Sequence, residues 1–275
     1  MQGGTLMQYK IMTFNIQHGL DHLRRQALPR PDYSGLSEEQ RREVAAAYMV
    51  KIDQELIDLP KVAGGIRAVH PIFCGLNEVR DESDFPGFSD QAKTIAENAG
   101  MDYHAFGKAI DLFGQGPYGN GFVSSCPILS VETIGIPDPL VKDEDAYYET
   151  RCILKAKVQL PDGHPLTVMV THIGLAKAEA RNAVATILAN TVPGEPTVLM
   201  GDFNLEPDSE ILKPLWDVYT DTTPLLPAGT KTYPSHAPEI KIDYICVAGG
   251  VKTLSAEAPE LIISDHRPLS AVIDV

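Results

Sequence analysis

Asn15, Glu78, Asp202, Asn204, Asp265 and His266 are the residues of this chain best placed to do chemistry, because each closes a short apolar run. The runs read Ile11-Met-Thr-Phe-Asn15-Ile16, Ile72-Phe-Cys-Gly-Leu-Asn-Glu78-Val79, Val198-Leu-Met-Gly-Asp202-Phe-Asn204 and Ile262-Ile-Ser-Asp265-His266-Arg-Pro268. Oxygen donors gathered at several strand tips suit a hard divalent cation such as Mg²⁺ or Mn²⁺. Mg²⁺ takes only a few carboxylate or amide oxygens and completes its shell with water and substrate phosphate. This pattern points to metal-dependent hydrolysis of a phosphoester.

Such a site needs elements that bring both ends of the chain together. Apolar runs of this length bounded by turn signals read as buried strands. Asn15 and Asp265 can share one site only within one fold, so residues 1–275 are expected to form a single domain, although the length would allow two. Gln17 to about Gln40 carries Pro29, Pro31 and Gly35 and reads as a loop. Ser37-Glu-Glu-Gln40 has the form of a capping box that opens a long helix to about Leu59. The stretch 17–59 is thus an inserted loop and helix, either a substrate lid or a solvated surface loop. Helices are also expected over Ser89–Gly100 and Lys177–Asn190. Strands are expected near 102–110, 119–125, 128–136, 150–160, 164–172, 196–201, 241–248, 251–256 and 268–275. Strand-rich stretches with a few helices imply two packed sheets covered by helices.

Phe14-Asn15-Ile16, Leu76-Asn77-Glu78-Val79, Thr171-His172, Gly201-Asp202-Phe203-Asn204, Ile242-Asp243-Tyr244-Ile245 and Ser264-Asp265-His266 resemble, in order, the motifs of the endonuclease/exonuclease/phosphatase superfamily. The resemblance runs from about residue 8 to the C-terminus. It implies an α/β fold, the DNase I-like four-layer sandwich of two packed, mainly antiparallel sheets flanked by helices. It also implies roles. Asn15, Glu78 and Asp265 stand on the metal side, and Asp202 orients or deprotonates the attacking water. Asn204 and His172 contact phosphate oxygens. His266, oriented by Asp243, stabilises developing charge. Weaker matches place Tyr118, Asn120 and Arg151 near the substrate, with Gln17 and His18 as further pocket candidates. Arg151 either binds a phosphate or braces Glu149. His22, His70, His104, His164 and His236 read as surface or satisfied core residues.

Two local expectations follow from strand geometry. Asp202 and Asn204, two apart, point the same way on an extended segment. Adjacent Asp265 and His266 would face opposite ways, so a bend is required between Ser264 and Pro268. Residues that end strands rather than fill the core should also be replaceable with little change in stability.

Composition narrows the substrate. The apolar fraction of 44% is ordinary for a soluble domain. No stretch nears the roughly 18 apolar residues of a membrane span, and Met1–Lys10 does not read as a signal peptide. Cys74, Cys126, Cys152 and Cys246 show no CxxC spacing, which favours reduced core cysteines and a cytoplasmic location. The net charge is −14, from 37 acidic against 23 basic residues. Proteins that grip long nucleic acid present a basic face, so a small phosphoester is the expected substrate. A nuclease is the alternative within enzymes, and an inactive binding scaffold is the alternative outside them. Loss of a motif residue would mark the scaffold, and every one is present. No Gly-x-Ser-x-Gly or P-loop motif appears, so the expected reaction is in-line attack of an activated water on phosphorus.

Overall fold

The alternation of side chains along the strands decides how the layers assemble. In a computed structural model the described residues are 7–83, 89–112, 116–142 and 146–275, less the side chains of residues 46, 49, 50 and 52–54. One sheet contains β1 (Gln8–Asn15), β2 (Phe73–Arg80), β3 (Tyr103–Asp111), β4 (Pro117–Ser124), β11 (Lys252–Glu257) and β12 (Leu269–Asp274). Its order is β11-β12-β1-β2-β4-β3. The other contains β5 (Ile128–Gly135), β6 (Cys152–Gln159), β7 (Pro165–His172), β8 (Thr197–Asp202), β9 (Thr220–Asp221) and β10 (Asp243–Ala248). Its order is β5-β6-β7-β8-β10-β9. The pairs β1–β2 and β7–β8 are parallel, and every other pair is antiparallel.

Ile11, Phe73, Phe122 and Leu269 of the first sheet pack against Leu154, Val168, Val198, Met200 and Ile245 of the second. The alternate residues of each sheet face helices. Met12, Phe14, Cys74 and Leu76 meet α3 (Leu59–Val69) and α4 (Gln91–Ala99). Met169, Leu199, Tyr244 and Cys246 meet α5 (Lys177–Ala189) and α6 (Lys213–Trp216). The result is the expected four-layer α/β sandwich.

The insertion folds as a 3-10 turn at Gln17–Gly19, α1 (His22–Ala27) and α2 (Glu38–Leu56). Ser37 and Gln40 form the expected capping box, with reciprocal hydrogen bonds of 3.0 and 3.2 Å. Three helices, α1, α3 and the short α6, were not expected from the sequence. The long helix stops at Leu56, and α3 begins anew because Asp58 caps it and Pro60 lies in its first turn. Asp21 likewise caps α1 inside the stretch read as loop. A bridge between Leu20 and Ile57 and a 2.8 Å ion pair from Lys61 to Asp21 close the insertion at its base. Among the described residues no helix is long and apolar enough to cross a membrane. All four cysteines are buried and unpaired.

Candidate active site

Period-2 alternation carries the polar site residues to one end of the space between the sheets. In β1, Ile11 lies in the inter-sheet core while Met12 and Phe14 face the helices, so Asn15 falls on the inner side. The same count puts His172 in line with Val168 and Val170, and Asp202 in line with Val198 and Met200. It aligns Asp243 with Ile245, and Tyr118 and Asn120 with Phe122. Apolar residues fill the lower rows and polar residues the top one.

Glu78 breaks the count. Asn77 is inner, so the next residue of a regular strand would face α3 and α4. The register with β4 slips between Asn77 and Val79, and Glu78 adopts φ 59°. A bulge of this kind re-aims a side chain. The carboxylate consequently turns inward and accepts the Asn15 amide at 2.9 Å.

Three groups converge on one oxygen of Asp202. Asn15 Nδ2 donates to Oδ2 at 3.0 Å, with His172 Nε2 at 3.4 Å and His266 Nε2 at 3.5 Å from the same atom. Burial, reinforced by Asp243, pushes the Asp202 carboxyl up to about 7, against the opposing pull of His266 and Asn15. Gly201, at φ 142°, lets β8 approach β7, since a Cβ there would collide with the Thr171 carbonyl.

The two imidazoles beside Asp202 are in opposite states. Burial opposes charge on His266, yet Asp243, Asp202 and Asp265 together carry it well above the ordinary imidazole range. Its Nδ1–H donates to Asp243 at 3.0 Å. His172 is held well below that range by burial and then by the Arg151 guanidinium, so it is neutral. Arg151 donates to His172 Nδ1 at 2.9 Å, which leaves the proton on Nε2, facing Asp202.

These groups floor a cleft of about 430 Å³ whose walls include Tyr147, Leu175 and Tyr233. The bend expected between Ser264 and Pro268 is present, and both Asp265 and His266 line the cleft. Asp202 and Asn204 do not lie on an extended segment. Asn204 adopts φ 52° in a turn closed by its N–H on Asp202 Oδ1 at 2.9 Å. Its side-chain nitrogen donates to the Ile173 carbonyl at 2.9 Å and lies 3.0 Å from His172 Nε2.

Several expected contacts take another form. Asn15 turns its amide nitrogen, not its oxygen, to the carboxylates, because Oδ1 accepts from the Gln17 N–H at 3.1 Å. In this arrangement it holds Glu78 and Asp202 together. Asn120 is buried and makes no wall of the cleft: Oδ1 accepts from Asn77 at 2.8 Å and Nδ2 donates to the Cys152 carbonyl at 2.9 Å. It supports the floor from beneath. His18 is also buried, its carbonyl accepting from Gln91 at 2.7 Å, and among the described residues none of 17–59 lines the cleft. The lid expectation therefore gains no support. Arg151 braces Glu149 at 2.7 Å as well as reaching His172, and Tyr118 does line the cleft.

Sequence reasoning missed Asn77, although it lies inside a quoted motif. Asn77 joins the sheets, donating to Asn120 and to the Thr171 carbonyl while accepting the Asp202 N–H at 2.9 Å. A polar side chain on an inner-facing position between Gly75 and the bulge is the signal that could have found it. Glu149, Glu179 and Tyr147 were likewise not assigned. Tyr147 donates to Glu149 at 2.8 Å, and Glu179 accepts the Glu149 N–H at 2.9 Å.

The donor chemistry fits a hard cation at the Glu78 side. Asp265 is raised by burial and then by the charge of Glu78, although His266 opposes this. Arg151, the one lysine or arginine among the described lining residues, is paired with Glu149. Glu78 and Asp265, both lining the cleft, are an all-oxygen donor set of the kind Mg²⁺ or Mn²⁺ takes. Asp202, Asp243 and His266 also converge within 4.8 Å and could hold a metal. Their hydrogen bonding argues otherwise, since both His266 nitrogens point at carboxylates and a protonated imidazole cannot ligate.

The chain belongs to the Endonuclease/Exonuclease/phosphatase family, whose model matches residues 12–266. Members of this family are hydrolases acting on phosphoester bonds, generally with a divalent metal. No curated protein matches the chain significantly. Solved structures do. The endonuclease/exonuclease/phosphatase from Beutenbergia cavernae superposes with TM-score 0.69 at 21% identity, covering 98% of this chain and 72% of the other. The Bacteroides thetaiotaomicron mannosyl-6-phosphatase gives 0.69 at 14% identity, covering 97% and 100%. The human Nocturnin catalytic domain with bound sulfate gives 0.64 at 16% identity, covering 97% and 93%. At these identities the likeness shows the fold.

Proposed function

We propose that this protein hydrolyses a small phosphoester, a phosphodiester or phosphomonoester, with Mg²⁺ or Mn²⁺ as cofactor and water as nucleophile. The observation that carries the reading is the convergence of Asn15, His172 and His266 on Asp202 Oδ2. A buried carboxylate raised to about 7 and held by three donors is suited to orient a water and take its proton near neutral pH. His266, kept cationic by Asp243, faces the same point and offsets negative charge gathering on the phosphoryl group. Neutral His172 and the Asn204 amide, 3.0 Å apart, offer donors to phosphoryl oxygens. Glu78 and Asp265 would hold the cation, which supplies Lewis-acid stabilisation of the phosphoryl oxygens when bound. No side chain is required as a covalent nucleophile.

Size and charge favour a small substrate over a nucleic acid. The cleft of about 430 Å³ accommodates a compact ester, and the fold-neighbour named as a mannosyl-6-phosphatase accords with such a substrate. An excess of 14 acidic residues disfavours long polyanions. Four free, buried cysteines accord with a cytoplasmic location. A hydrolysis screen tests the reading. Bis-p-nitrophenyl phosphate, sugar phosphates, glycerophosphodiesters, lipid headgroup esters and single- and double-stranded DNA are compared with Mg²⁺, Mn²⁺ and EDTA. Turnover of a small ester that EDTA abolishes and Mg²⁺ or Mn²⁺ restores is expected. Undiminished turnover in excess chelator, or faster turnover of DNA than of every small ester, would overturn it.

A further inference from the structure

The insertion meets the catalytic loops through three donors that the hydrolytic reading does not use. His22 and Gln26 are four apart on α1, so both point from one face of the helix. His236 comes from the loop 233–240, more than two hundred residues further along the chain. His22 Nε2 lies 3.1 Å from His236 Nδ1, and the Gln26 amide lies 3.0 Å from the first and 3.2 Å from the second. The two rings are 5.2 Å apart and tilted by 34°, and the Gln26 amide nitrogen also lies 3.3 Å from His236 Nε2.

We propose that His22, Gln26 and His236 form a transition-metal site, distinct from the acid cluster, that staples the 17–59 insertion to the loop behind Asp265 and His266. Four ligands at about 2.0–2.1 Å around Zn²⁺ stand a little over 3 Å from one another, which is the spacing of these three atoms. Two imidazoles and an amide oxygen suit Zn²⁺, Ni²⁺ or Co²⁺ and not Mg²⁺. The Gln26 amide can present either end, because the oxygen and nitrogen exchange by a simple flip. Gln26 and His236 are exposed, which leaves a solvent path and a fourth position for water.

The staple would act on the catalytic residues through the backbone next to His236. Ser235 donates its N–H to the Asp265 carbonyl and its hydroxyl to the Ser264 carbonyl, each at 2.6 Å. The Tyr233 ring stands 4.8 Å from that of His266. From the helix side, the His22 N–H donates to the Ile263 carbonyl at 3.2 Å. A metal at this point would fix both sides of the segment that presents Asp265 and His266.

Calorimetric titration of Zn²⁺ into the full chain, in buffer saturated with Mg²⁺, tests the proposal. One Zn²⁺ per chain should bind and raise the melting temperature. Co²⁺ in its place should give the visible absorption of a nitrogen-ligated ion. His236→Ala, at an exposed position, should keep its metal-free melting temperature and lose affinity by about 10-fold or more, and His22→Ala, at a buried position, should lose affinity to the same extent. Glu78→Gln, which alters the acid cluster instead, should keep the Zn²⁺ event. Absence of Zn²⁺ binding in the wild type, equal binding in His236→Ala, or loss confined to Glu78→Gln would each overturn the proposal.

Discussion

Asp202→Asn should abolish turnover and stabilise the fold in the same stroke. Asp202 is 1% exposed, and its carboxyl is raised from 3.8 to about 7, first by burial. The difference, 7 − 3.8, is about 3.2 units, and at 1.36 kcal/mol per unit the ionised form weakens the folded state by about 4 kcal/mol. The sign follows from a raised folded-state pKa. The contribution of Asp202 is most favourable below pH 3.8, is lost as pH climbs through 3.8–7, and reaches its full penalty above 7. Asn removes the charge but meets the Asn15 amide nitrogen donor to donor, which returns about 1–3 kcal/mol. A net gain of about 1–3 kcal/mol at pH 8 remains, or roughly 3–10 °C in Tm. Urea denaturation of both proteins at pH 4 and pH 8 measures it, with EDTA present so that no divalent cation neutralises the acids. The advantage of Asn should vanish at pH 4, while kcat at pH 8 with Mg²⁺ should drop by about 10² or more. A variant less stable than the wild type at pH 8, or an equal difference at both pH values, would refute the reasoning. Strand-end position alone predicts little change in stability, but this strand ends between two sheets and not in water.

Two further substitutions probe the rest of the floor. Asn77→Ala removes the partners of the Asn120 carbonyl oxygen and the Asp202 N–H, both buried, at about 1–3 kcal/mol each. Its urea midpoint and its kcat should therefore fall together, and an unchanged midpoint would show the inter-sheet network to be dispensable. Glu78→Gln should raise the Mg²⁺ concentration for half-maximal rate by about 10-fold or more, the scale seen when even outer-shell metal partners are lost. An unchanged Mg²⁺ dependence would remove Glu78 from the cation site.

Most strands were legible because their patterning is strong. β7, β8 and β10 lie within one or two residues of the expected ranges, and their polar ends are Asp and His that cannot be buried alone. The order of motifs identified the layers. What escaped depends on events that sequence patterning does not encode. The apolar spacing runs through Leu56, Ile57 and Leu59 without a gap, so the break into α3 rests on the Asp58 cap and Pro60 alone. Glu78 reaches the cleft through a one-residue bulge that no neighbouring residue announces. The Asn77–Asn120 bridge and the His22–His236 contact join residues 43 and 214 apart, and exist only once the layers are packed. Asn120 and His18 are buried and stand apart from the described lining of the cleft, since proximity along a motif does not say which side of a strand is accessible.

The division of labour within the site follows from the same geometry. Both parallel pairs, β1–β2 and β7–β8, end at the same edge of their sheets, and their last inner-facing residues meet across the interface: Asn15 and Asn77 opposite His172 and Asp202. Fixing these positions requires every layer, so the floor is rigid and its charge states are set by burial and by fixed partners. The walls are otherwise. Tyr147, Leu175 and Tyr233 stand on connections between strands, where Tyr147 and Leu175 are largely exposed, and Leu140 and Val141 on the Tyr147 connection face water almost fully. Loops on a rigid scaffold are where binding groups change most readily. A phosphoryl group bound by the floor would present its other half to these apolar and aromatic side chains. The identity of that half, more than the bond cleaved, is what this chain's own loops would decide.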